Sequence, residues 1–182
     1  MKGIIFNITE GFIIKKYGEE QLDLILSHCT LITKEPYVAP GTYPDEDLME
    51  IVSKASKCLE ISPDDFLVSL GRYSFSQLAS RYSNFLTGFD NAKDFLKTIE
   101  SVVHVEIQKL YTDAYLPTFQ YKEPSENKLI ITYYSKRKLY PLMQGLISGV
   151  GDHFNTSIKQ RHIIYEKDGK EYCDFFLEFL PK

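Results

Sequence analysis

The hydrophobic period of this chain changes at Pro117, and that change limits the available folds more than any other feature. Ahead of Pro117 apolar residues recur at the spacing of helices that bury one face; beyond it they drift toward the alternation of strands. Residues 19–28 bring Leu22, Leu24, Ile25 and Leu26 onto helical spacing, and Asp45 to Leu59 do the same after a loop rich in Pro and Gly. Ser62, Pro63, Asp64 and Asp65 supply a capping hydroxyl, a first-turn proline and first-turn acids, which predicts a third helix running to about Ser74. A fourth, over residues 91–111, carries Phe95, Leu96, Ile99, Val103, Ile107 and Leu110 on one face, with His104 on its shoulder.

After Pro117, residues 118–123 and Lys128–Tyr134 read as strands joined across residues 124–127. Pro141 opens a helix that repeats Leu142, Met143, Leu146, Ile147 and Val150. Between them stand Gly145, Ser148, Gly149 and Gly151, small residues that let a neighbour approach the backbone closely. Residues 162–166 and 171–180 form a hairpin around Lys167, Asp168, Gly169 and Lys170. The expectation is an α+β chain, one domain over residues 1–182. Its helical part, residues 1–114, packs on an antiparallel sheet with helices in residues 115–182.

With 182 residues, 43% of them hydrophobic, the chain can bury a core large enough to enclose a cofactor. A formal net charge of -4 and only one short basic run, Lys136 to Lys138, argue against a nucleic-acid surface. The apolar start lacks a charged leader and a small-residue cleavage site, and no run is long enough to span a bilayer; the expectation is a cytoplasmic protein with no membrane partner. Cys29, Cys58 and Cys173 are too few and too scattered for a disulfide framework or a closed zinc site.

Of the four histidines, His28, His153 and His162 stand at element boundaries, where imidazoles are ordinarily exposed or capping. His104 stands mid-helix between Val103 and Val105, where it is either satisfied within a core or bound to a metal; pattern alone favours the first. One imidazole cannot hold zinc, but it can hold haem iron, because the porphyrin supplies four in-plane ligands. Tyr133, Ser135 and Arg137 follow one another at alternate positions. Along an extended chain that spacing sends a phenol, a hydroxyl and a guanidinium to one side, a set of donors suited to carboxylate or phosphate, although on spacing alone a polar strand end facing solvent is the favoured reading.

These pieces together resemble the H-NOX family of haem nitric oxide and oxygen binding domains. The resemblance rests on Tyr133-x-Ser135-x-Arg137, followed by Gly145, Leu146 and Ile147, with His104 and Pro117 in order and Met1 to Ile5 at the start. It covers essentially the whole chain and implies the H-NOX fold with haem b between the two parts, bound non-covalently. It implies that His104 is the iron ligand, that Tyr133, Ser135 and Arg137 bind the propionates, and that Pro117 presses on the macrocycle. Oxygen-binding members place a donor, usually Tyr, on the distal helix, where this chain has Leu142; Tyr140 lies about half a helical turn away. The family's distal Trp is also missing, since the chain has no Trp. A distal pocket of Ile5, Leu142 and Leu146 therefore implies a sensor of nitric oxide, with carbon monoxide possible and no stable oxygen binding. It is expected not to be an enzyme, and to signal to a separate sensor histidine kinase or cyclic-di-GMP enzyme. A peroxidase-type haem enzyme and a haem-free anion-binding module are the competing expectations.

Overall fold

Pro117 is where the architecture turns over. The computed structural model describes residues 1–181. Before Pro117 the regular elements are helical: α1 (Gly3–Tyr17), α2 (Glu19–Ser27), α3 (Asp45–Leu59), α4 (Pro63–Arg81), α5 (Ala92–Thr98) and α6 (His104–Leu110). After it come β1 (Thr118–Ser125), β2 (Lys128–Tyr134), α7 (Tyr140–His153), β3 (Thr156–Lys167) and β4 (Lys170–Pro181). The strands form one antiparallel sheet in the order β1-β2-β4-β3, so the fold is α+β.

Local chemistry accounts for most boundaries. Gly18, at φ 95°, stops α1 in a conformation that favours glycine. The Ser62 hydroxyl accepts the Asp65 N–H at 3.0 Å and caps α4. Asp168 and Gly169, at φ 52° and 70°, make the tight turn between β3 and β4.

Elsewhere tertiary packing overrides the local signal. Helix α4 passes Ser74 and runs to Arg81, because Phe75 and Leu78 still face apolar neighbours although the residues between them are polar. Strand β3 begins at Thr156, well before His162, because it pairs with β4 along its whole length. The helix expected over residues 91–111 is interrupted by a π-helical turn, Ile99–Val103. A π turn takes more residues than an α turn and rotates whatever follows, so Leu110 leaves the apolar stripe and is 60% exposed.

Two apolar clusters result. One gathers α1, α2, α3 and the first half of α4; the other gathers the inner face of the sheet, α5 and α7. Helices α4 and α7 join them by crossing at Gly71, Gly145 and Gly149. A Cβ on Gly145 would fall on the Val68 carbonyl, and one on Gly71 on the Leu142 carbonyl, so the two backbones touch. No helix of the described residues is long and apolar enough to cross a membrane.

Candidate haem site

Residues from both clusters line a largely apolar cavity of about 390 Å³, within the general range of small-ligand pockets. It collects all eight residues singled out in the sequence: Ile5 from α1, His104 from α6, Pro117 ahead of β1, Tyr133 from β2, Ser135 and Arg137 beyond it, and Leu142 and Leu146 from α7.

His104 is the first residue of α6, immediately after the π turn. Its Nδ1 lies 3.1 Å from Glu100 Oε2. A carboxylate can only accept, so Nδ1 carries the proton and Nε2 the lone pair. The ring stacks on Phe119, with centroids 5.2 Å apart. Burial pushes the His104 pKa below its ordinary value against the opposing pull of Glu100, so the imidazole is neutral at neutral pH and available as a ligand.

The polar set is built differently from the extended strand that the spacing suggested. Strand β2 ends at Tyr134, and Ser135 to Lys138 form a turn: the Lys138 N–H donates to the Ser135 carbonyl at 3.2 Å, and Lys138 takes φ 52°. The turn, not alternation, brings Arg137 to the same cavity as Tyr133 and Ser135. Ser135 is buried, and its hydroxyl accepts the Arg137 N–H at 3.2 Å. Burial raises the Tyr133 pKa, which keeps that phenol a donor.

Arg137 is oriented from two directions. Its Nε donates to Asp45 Oδ2 at 2.7 Å and its Nη1 to the Tyr115 carbonyl at 2.6 Å, with the guanidinium over the Tyr115 ring. Burial alone would raise the Asp45 pKa, but the hydrogen bonds and charges of Arg137 and the Met1 ammonium outweigh it and hold the carboxyl low. Arg137 and Tyr115 also line an adjoining, more open cleft of about 700 Å³, which carries Asp45, Glu46 and Lys136.

Sequence reasoning missed Asp45 and Glu100. Glu100 could have been found, being four residues ahead of His104 on one helical surface. Asp45 left no local trace, since its partner lies 92 positions further along the chain. A third missed cluster also lines the cavity: Lys2 Nζ lies 2.9 Å from Asp113 Oδ1, and the Thr42 hydroxyl donates to Asp113 Oδ2.

The chemistry of this donor set selects its ligand class. Among the described residues no three metal-binding side chains come together, and the cavity offers a single imidazole lone pair. That suits a metal carried by a flat macrocycle with its own in-plane nitrogens, while the phenol, hydroxyl and guanidinium suit its acidic arms.

Comparison with known proteins agrees. The sequence matches the Haem-NO-binding family over residues 2–162. The Fe(II) unliganded H-NOX protein from K. algicida is similar at 30% identity, covering 100% of this chain and 98% of that one, with a TM-score of 0.90. An H-NOX protein from S. oneidensis in the Fe(II)NO ligation state is similar at 28% identity, covering 99% of each chain, with a TM-score of 0.90. The chain therefore belongs to the Haem-NO-binding, or H-NOX, family of haem-based gas sensors, and its cofactor is haem b.

Proposed function

We propose that this chain, acting as one sensor domain, detects nitric oxide at ferrous haem, with His104 as the iron ligand. Tyr133, Ser135 and Arg137 hold the propionates, and Pro117 presses on the macrocycle. When bound, ferrous haem supplies an open coordination position for a diatomic gas.

The observation that carries the selectivity is the composition of one wall. Everything that α1 and α7 contribute to the cavity is apolar, Ile5, Leu142 and Leu146 among them. Oxygen is held stably where a donor faces it, and this wall presents none; nitric oxide and carbon monoxide need none. Tyr140, the nearest phenol in sequence, is buried away from the cavity and donates to Glu171 Oε1 at 2.8 Å.

A peroxidase-type enzyme wants a histidine or arginine beside the gas to move peroxide protons. Here the Nδ1 of His104 is bonded to Glu100, and Arg137 is engaged by Asp45 and the Tyr115 carbonyl, which favours sensing over turnover. As the protein that reads the state of the haem we propose a separate signalling partner, a sensor histidine kinase or a cyclic-di-GMP enzyme.

The test is to expose reduced, haem-loaded protein in turn to nitric oxide, carbon monoxide and air. The first two shift the Soret band and air produces no stable oxygen spectrum, whereas Leu142→Tyr gains one. A stable oxygen spectrum in the unsubstituted protein would overturn the selectivity.

A further inference from the structure

Glu100 is fastened to more than His104. The oxygen that accepts the His104 Nδ1–H also accepts the Phe119 backbone N–H at 3.1 Å, and the Glu100 N–H itself donates to the Tyr121 hydroxyl at 3.3 Å. Phe119 and Tyr121 both belong to β1. Glu100 is part of the π turn and His104 follows it directly, the closure of the turn marked by the His104 N–H donating to the Ile99 carbonyl five residues back. Glu100 thus enters the turn that delivers the imidazole to the cavity, while its carboxylate is held by the sheet.

We propose that Glu100 is a positioning residue for the iron ligand: its carboxylate fixes the His104 ring with Nε2 left for the metal and ties that ring to β1 through the Phe119 amide. The proposal rests on His104 being the ligand. A carboxylate accepting the distant ring proton does more than set the tautomer, because it makes the imidazole a stronger electron donor. A stronger donor favours ferric over ferrous iron and stiffens the bond to the ring. Glu100 therefore sets the strength of the bond that His104 would make to iron, and couples the ring to β1.

The experiment compares haem-loaded wild-type protein with Glu100→Ala, Glu100→Gln and His104→Ala. It reads the iron–histidine stretch of the reduced form by resonance Raman and the haem reduction potential. In Glu100→Ala the stretch drops to lower wavenumber and the potential moves positive. Glu100→Gln keeps an acceptor of the same shape without the charge and falls between, and it decides the matter if the Ala variant does not fold. A stretch and a potential in both variants equal to those of the wild type, with haem retained, would overturn the role of Glu100 while leaving His104 as ligand. Absence of the stretch in the wild type, or its survival in His104→Ala, would instead overturn the ligand assignment and this proposal with it.

Discussion

Asp113 shows how much a single side chain near the cavity is asked to do. The Thr42 hydroxyl and then Lys2 hold its carboxyl down at about 2, although the carboxyl itself faces solvent. The folded value lies below the ordinary aspartate value of about 3.9, so the folded state binds fewer protons over that interval. The contribution is complete above the ordinary value and is lost as pH falls toward the folded one. Stability against denaturant, followed by circular dichroism, should therefore depend less on pH between about pH 4 and about pH 2 in Asp113→Asn, the two proteins differing most above that window and converging below it. Identical pH dependence would show that the contact contributes nothing. Residues of this kind were the least legible in the sequence. His104 could be singled out because an imidazole between two valines needs a reason, and Tyr133, Ser135 and Arg137 because three donors shared a spacing. Lys2, Thr42 and Asp113 offered no such cue, because their meaning lies in partners far along the chain.

Among the elements, the strong periodic signals gave the later helices and strands in the right order; α1, whose apolar residues show no single face, was not anticipated, and the other misreadings fall where packing or backbone geometry outweighed composition. The π turn is the clearest case. An apolar stripe read at a constant period of 3.6 keeps Leu110 inward, and only the extra residue in the turn sends it to solvent. The small residues of α7 were legible as a place of close approach, and α4 is what approaches. Because the obstacle at Gly145 is the Val68 carbonyl and the Arg72 amide, not a flexible side chain, nothing can move aside cheaply. Gly145→Ala should cost about 1–3 kcal/mol, read as a lower denaturant midpoint at unchanged slope. It should also disturb gas binding, since Leu142 and Leu146 ride on the same helix. A midpoint equal to wild type would mean that the two helices are free to separate.

Across the whole molecule, the cavity is bounded by residues of both apolar clusters, and polar ties cross between them. Asp45, at the start of α3, reaches Arg137 beyond β2, and Lys2 and Thr42 reach Asp113 beyond α6. These ties and the glycine crossing of α4 and α7 hold the two clusters together around the cavity. Asp45→Ala should lose about 1 kcal/mol, discounted for the exposure of Asp45, and the difference should shrink at high salt. Equal stability at low salt would remove this tie from the account. We propose that one imidazole, backed by the donors Tyr133, Ser135 and Arg137, holds a haem in this cavity. The most direct test is the absorption spectrum of the reduced protein after reconstitution with hemin, beside that of His104→Ala. Reconstitution should give stoichiometric haem with a Soret band characteristic of histidine ligation, lost in the variant. A wild-type protein that stays colourless, or a spectrum indifferent to removal of His104, would contradict the proposal.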